Sequence, residues 1–198
     1  DRGGGIVSGG GGGLPSPPKK EESGTQIVES DGKKKAAVSV DNDELGEEIR
    51  TQSSSEVTVN ARTDEQVDIL EVSMKGSVFK AAQENNKALK IESNSVTFRI
   101  QPGTISIEDD AEDVILTANQ FDIGDVPELA SNRPQEANEV AMVFDFDIKS
   151  GGKNVTKFDK PVTITVQFDK AKVKNASKLG VYYYNESEGK WEYVGGKV

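Results

Sequence analysis

The chain has 198 residues and a formal net charge of −10, and it contains neither cysteine nor histidine. Without these two residue types it cannot form disulfides, thiolate or imidazole metal sites, or Ser-His and Cys-His catalytic pairs. Its acidic balance repels nucleic acid and anionic membranes, and no apolar run approaches the roughly 20 residues that span a bilayer. We therefore expect no enzyme activity, no nucleic-acid partner and no membrane insertion.

Residues 1–36 begin with low-complexity sequence. A run of glycines at 9–13 passes into the proline-rich stretch 14–18. Glycine-rich sequence predicts a flexible tether, and proline-rich sequence predicts a stiffer spacer. The alternative is an arm that completes the sheet of a neighbouring copy by strand exchange, with Ile6-Val7 or Ile27-Val28 filling apolar pockets.

Residues 37–105 mix helical and strand periodicity, which predicts an α+β module. Val38 and Val40 alternate with polar neighbours as in a strand, and Asp41 with Glu44 three residues on is typical of a helix N-terminus. The pattern then predicts strands at 56–60 and 67–72, a helix over 74–86, and a hairpin formed by 88–91 and 96–100.

Residues 106–198 show strand patterns only, which predicts an all-β module. We expect strands at 114–121, 140–148 and 162–168, a long loop at 124–138, and a final hairpin of 181–184 with 191–194. The predicted fold class is mainly β: a small α+β unit followed by an antiparallel β-sandwich-like unit, with a flexible Gly/Pro-rich N-terminal arm.

The final hairpin carries the candidate ligand-binding residues. Aromatic ring faces can stack on sugar rings, so this segment predicts a carbohydrate-binding surface. The alternative is structural, because cross-strand aromatic pairs stabilise sheets and alternation sends some of the rings inward. The residues concerned are Tyr182, Tyr184, Trp191 and Tyr193.

An acidic cluster between the two modules is a candidate calcium site. Its oxygen ligands suit calcium, although they follow no recognised loop pattern, and the alternative is a solvated acidic turn. The residues are Glu108, Asp109, Asp110, Glu112 and Asp113. We expect no cofactor other than this possible calcium ion.

Several segments resemble a module of large surface proteins from Bacillus- and Paenibacillus-like bacteria. The segments are VTFRIQPG at 96–103, the strand entry FDKPVT at 158–163, and the hairpin VYYYNE…GKWEYVGGKV at 181–198. The similarity covers roughly residues 37–198, and the hairpin is its most specific part.

The resemblance implies a non-catalytic stalk or spacer unit at the surface of a Gram-positive-type bacterium, in a protein that carries S-layer homology domains. The implied role is spacing, assembly or adhesion. The implied partners are other copies of the chain, neighbouring surface-protein domains, or cell-wall or environmental polysaccharide. The family pattern continues with a further strand, so the resemblance also implies that the all-β module is truncated at its C-terminal edge.

Overall fold

The structure, a computed structural model, describes residues 24–132, 134, 142–173 and 176–196. Within these ranges the chain is mainly β, as the sequence predicts. Its strands are β1 (Gly24–Ser30), β2 (Lys33–Ser39), β3 (Glu56–Asn60), β4 (Ile69–Lys75), β5 (Ala88–Glu92), β6 (Val96–Ile100), β7 (Asp113–Phe121), β8 (Val143–Ser150), β9 (Lys153–Asn154), β10 (Thr163–Val166), β11 (Val181–Asn185) and β12 (Lys190–Gly195). Its α-helices are α1 (Asn42–Thr51), α2 (Gly76–Glu84) and α3 (Pro127–Ser131).

The strands form three sheets. A six-stranded sheet has the order β1-β2-β4-β7-β8-β9, a four-stranded sheet has the order β10-β6-β5-β3, and β11 pairs with β12 alone. Phe146 of the first sheet meets Phe98 of the second edge to face, with ring centroids 5.5 Å apart. The two larger sheets therefore face each other across a shared interior.

The first hairpin corrects the predicted linker at 1–36. Asp31 and Gly32 both have positive φ, 53° and 73°, and they connect β1 to the antiparallel β2. An Asp-Gly pair with two positive φ angles is typical of a tight two-residue hairpin turn. Residues 24–36 thus belong to the folded body, while the rest of the predicted arm, residues 1–23, lies outside the described residues.

The chain passes twice from the larger sheet to the smaller one through a helix. The first passage is β2-α1-β3 and the second is β4-α2-β5; β2 runs parallel to β4, and β3 runs parallel to β5. The side chain of Asp41 accepts a hydrogen bond from the Glu44 N–H, which confirms the predicted helix start. The two helices contact each other, and their apolar faces join the core.

The predicted boundary between residues 105 and 106 does not separate two cores. β4 pairs with β7 over the register Ile69↔Asn119 to Lys75↔Asp113, and β10 pairs with β6. Buried residues from Ala36 to Ile148 form a single cluster. The two stretches differ in helical periodicity because the two longer helices, α1 and α2, both occur in the first, and a sheet can still join strands that are distant in sequence.

Two predicted elements of the second half differ in the structure. The most regular strand pattern, 162–168, forms the short edge strand β10, and its Ile164 is 38% exposed. The predicted loop 124–138 contains a short 3₁₀ turn and α3, whose first residue is Pro127. Proline is well tolerated at that position because its missing N–H has no partner within a helix. Residues 133 and 135–138 of this loop lie outside the described ranges.

Candidate functional site

The terminal hairpin places its four predicted aromatic residues on one face. Tyr182 lies opposite Tyr193, and Tyr184 lies opposite Trp191, in the antiparallel register of β11 and β12. Directly opposed residues share a face of the sheet, and so do residues two apart along a strand. The hairpin therefore carries two cross-strand aromatic pairs side by side, and neither pair belongs to the main core.

The inner pair, Tyr184 and Trp191, attaches the hairpin to α3. Their ring centroids are 5.2 Å apart at an interplanar angle of 60°. Trp191 Nε1 donates to the Leu129 carbonyl oxygen over 3.3 Å, and Tyr184 Oη donates to Glu128 Oε1 over 3.2 Å. Asn132 Nδ2 donates to the same tyrosine oxygen over 3.4 Å. Because their polar groups are used in this way, these two rings position the hairpin.

The outer pair, Tyr182 and Tyr193, leaves aromatic surface open to solvent. The rings lie 5.3 Å apart at 62°, and Tyr193 is 68% exposed. A Cβ on Gly180 would come within 3.0 Å of Tyr193 and 3.2 Å of Tyr182, so the backbone there packs closely against both rings. The angle between the rings means that they present one exposed face and an edge rather than a flat two-ring platform.

The opposite face of the hairpin also carries exposed apolar side chains, although Glu192 lies directly opposite Tyr183. Tyr183 is 60% exposed and Val181 is 58% exposed. A register shift after Val181 leaves Val194 outside the regular pairing, and this residue is 65% exposed. The strand alternation placed Tyr183 on this face, but nothing in the sequence indicated the bulge that exposes Val194.

The acidic cluster, residues 108–113, lies against the N-terminus of α2. The backbone N–H of Gly76 donates to the Glu112 carbonyl over 2.8 Å, and the N–H of Ser77 donates to the Asp110 carbonyl over 2.9 Å. The first N–H groups of a helix have no partner within the helix, and α2 has no side-chain cap. The acidic loop therefore caps this helix with its main chain.

Several carboxylates of this cluster also contact protein groups. Asp113 pairs with Lys75 over 2.9 Å, and Asp110 pairs with Lys80. The hydrogen bond from Asp110 raises the pKa of Lys80 above its ordinary value. Negative charge near a helix N-terminus is favourable, which gives this composition a structural role.

Two further carboxylates of the cluster bond within the loop itself. Asp109 Oδ1 accepts from the Ala111 N–H over 2.9 Å, and Glu112 Oε1 accepts from the Glu108 N–H over 3.2 Å. In the part of the chain that the structure describes, no three acidic side chains converge as a metal ion would require. Four of the five predicted residues thus direct a side-chain oxygen to different partners, and the fifth, Glu108, contributes its backbone N–H.

One comparison with known proteins finds a similar stretch of sequence. Over 130 residues, 64% of this chain, it is 32% identical to an amylopullulanase from Thermoanaerobacterium thermosulfurigenes. The match spans 6% of that protein's length, so the chain is similar to a short stretch of a far longer protein. No protein-family profile and no solved structure matches the chain.

No helix among the described residues has both the length and the hydropathy that a membrane crossing needs.

Proposed function

We propose that this chain is a non-catalytic accessory module of an exported bacterial surface protein, in which it spaces or assembles neighbouring domains. The observation that carries this proposal is the match to a short stretch of an amylopullulanase. A stretch of that size within a long enzyme is typical of an appended domain. The resemblance of the hairpin segment to stalk modules of surface proteins supports the same role.

A spacer has to be a stably folded unit, and the described residues meet this requirement. Its two larger sheets enclose one apolar core, and its acidic cluster caps a helix. The proposed location is the cell surface of a Gram-positive-type bacterium, with S-layer-associated proteins as the class of parent. The proposed partners are neighbouring domains or other copies of the chain, which would contact the exposed face around Tyr183.

The proposal is tested by an activity assay on the purified chain. Pullulan and amylopectin are incubated with the protein, and the release of reducing ends is measured. We expect no release above that of a buffer blank. Turnover that a single Asp or Glu substitution abolishes would show that the acidic residues are catalytic, and the proposal would be wrong.

Carbohydrate binding by the outer aromatic pair is the second candidate function. The observation that favours it is the exposed ring of Tyr193 beside Tyr182, since exposed aromatic rings stack on apolar faces of other molecules. Affinity electrophoresis in gels containing pullulan or amylopectin tests it. Tyr193→Ala should abolish any retardation, and Tyr183→Ala is the matched control because that residue is 60% exposed, against 68% for Tyr193, and lies on the opposite face. No retardation of the unmodified chain would exclude these two glycans as ligands.

Calcium-dependent adhesion is the third function raised by the sequence. If the acidic cluster binds calcium, the melting temperature rises with added calcium and falls with a chelator, since a ligand of the native state stabilises it. Because Lys75 and Lys80 already neutralise part of the cluster, we propose that the melting temperature is the same in both conditions.

A further inference from the structure

The larger sheet extends one strand beyond the smaller one at the β1 edge. Ile27 pairs with Ala36 and Thr25 pairs with Val38, so these side chains point to the same side as two core residues. Ala36 and Val38 are buried, whereas all seven residues of β1 are exposed and Ile27 is 40% exposed. The inner side of β1 therefore has no strand facing it among the described residues.

Among the described residues, the edge strand of the smaller sheet, β3, pairs with β5 alone. The N–H of Ala88 donates to the Ser55 carbonyl, and the N–H of Ala61 donates to the Glu92 carbonyl, so the odd-numbered residues of this stretch pair with β5. Main-chain direction alternates along a strand, so Thr58 and Asn60 turn their N–H and C=O groups outward. An unpaired edge of this kind is a template for an additional strand.

An open groove joins these two features. It has a volume of about 290 Å³ and lies between the start of β1, the end of β2, α1 and the end of β3. Its apolar lining includes Val38, Leu45 and Val59, and its acidic lining comes from Asp41, Glu44 and Glu48. A strand that follows the free edge of β3 would lie in this groove and cover the inner side of β1.

The shape of this edge favours a single free segment over a second folded copy. If two copies paired their β3 edges symmetrically, both overhanging β1 strands would have to occupy the same space. A single extended segment brings no second sheet with it. The occupant should also be basic or neutral, because three carboxylates line the groove.

We propose that residues 3–14 of the same molecule bind in this groove as an added strand along β3. The first residue of β1, Gly24, lines the groove, so this segment is tethered beside its binding site. The nine intervening residues can span up to about 30 Å. Residues 3–14 contain no charged side chain, so the segment is neutral, as the acidic lining requires, and the tether balances Lys19 and Lys20 with Glu21 and Glu22.

The composition of the segment favours its own molecule over a neighbour. Glycines at 3–5 and 9–13 need no side-chain space in a narrow groove, but only Ile6, Val7 and Leu14 offer large apolar side chains. So small an apolar contact binds weakly between separate molecules. A short flexible tether supplies an effective concentration in the millimolar range, which exchange with a neighbouring copy lacks.

Hydrogen exchange in the full-length chain tests this proposal. We expect the amides of Thr58 and Asn60 to be protected in the unmodified protein. The variant Ile6→Asp removes an apolar contact and adds a charge that the groove repels, so it should speed their exchange by about tenfold or more. Ser16→Asp is the matched control, because it adds the same charge to the tether and should leave the exchange unchanged.

Three results would overturn the proposal. Free exchange of both amides in the unmodified chain would show that β3 carries no added strand. Unchanged protection in Ile6→Asp would show that another segment covers the edge. Protection that increases with protein concentration, together with a mass above the monomer by light scattering, would assign the groove to the arm of a second copy.

Thr58→Pro provides a second variant, because it removes one outward N–H at an edge position where proline is tolerated. We expect this variant to expose the Asn60 amide to exchange, as Ile6→Asp does.

Discussion

The sandwich body and the terminal hairpin are stabilised in different ways. In the body, two sheets and two helices enclose a cluster of buried residues such as Ile49, Val72 and Ile91, each of which is 0% exposed. The hairpin has no core of its own, and its attachment depends on a few hydrogen bonds between its inner aromatic pair and α3. Burial of apolar area gives the body cooperative stability, whereas an isolated two-stranded hairpin is marginal in water.

The largest effect on stability is expected from a cavity in the core of the body, made at a residue from the second half of the chain. Leu116 of β7 is 1% exposed, and Leu116→Ala should lower the free energy of unfolding by about 3 kcal/mol, because it removes apolar contacts and leaves a cavity. Urea unfolding followed by far-UV circular dichroism measures the loss. The control is Ile164→Ala on the exposed edge strand, with an expected loss of under about 1 kcal/mol.

This variant also tests the single core directly. If Leu116→Ala produced two separate transitions and left the helical signal at its original midpoint, residues 37–105 would have a core of their own.

The second test concerns the close contact between α2 and the acidic cluster. A Cβ at position 76 would lie 2.4 Å from the Asp109 carbonyl oxygen and 2.6 Å from Ile107 Cγ2, so Gly76→Ala forces the loop away from the helix start. We expect a loss of about 2 kcal/mol, the usual range for overpacking. Gly124→Ala is the control, because a Cβ there meets nothing within 4 Å and should change stability by less than about 0.5 kcal/mol. Equal thermal midpoints for the two variants would contradict the capping role of the loop.

The third test separates the hairpin from the body by means of Trp191, the one tryptophan of the chain. Its emission reports the attachment to α3, whereas circular dichroism reports mainly the body. Tyr184→Phe removes the hydroxyl group that bonds Glu128 and should weaken the attachment by about 1 kcal/mol. The tryptophan emission should then shift at lower urea, with the dichroism transition unchanged.

The matched control for this variant is Tyr183→Phe, whose ring lies on the opposite, exposed face. It should leave both transitions where they are in the unmodified chain. Coincident shifts of both probes in Tyr184→Phe would mean that the hairpin and the body unfold as one unit.

The smallest expected effect comes from an exposed ion pair of the body. Lys34 and Glu65 are 31 residues apart in the sequence, and Lys34 Nζ donates a hydrogen bond to Glu65 Oε2 over 2.5 Å. The hydrogen bond and the charge of Lys34 hold the pKa of Glu65 below its ordinary value of 4.5. The ion pair therefore contributes to stability at a pH above the pKa that Glu65 has in the unfolded chain. This contribution is lost as the pH falls through the lower pKa that Glu65 has in the folded chain.

A carboxyl titration followed by NMR measures this shift. Because both groups are exposed, we expect only a slight loss of stability in Glu65→Gln at neutral pH. Salt at about 1 M, where the screening length is about 3 Å, should move the pKa of Glu65 back toward its ordinary value. A pKa that stays equally low in Lys34→Met would mean that a cause other than Lys34 lowers it.

Local patterns in the sequence determined most elements of this protein. The Asp41 cap, the strand at 56–60 and the hairpin at 88–100 depend on neighbouring residues, and the structure has them where the periodicity predicts them. The aromatic register of the terminal hairpin follows from the same alternation. These features are local because hydrogen bonding and alternation act over a few residues.

Tertiary structure alone decided how these elements combine. The pairing of β4 with β7 joins residues that lie about 40 to 50 positions apart, and the docking of Trp191 on α3 joins residues 62 positions apart. The acidic cluster became a helix cap only because that pairing brings it to α2. Contacts between residues so far apart in sequence depend on the burial of apolar area and on the hydrogen bonding of main-chain groups over the whole chain. A local periodicity therefore cannot predict them.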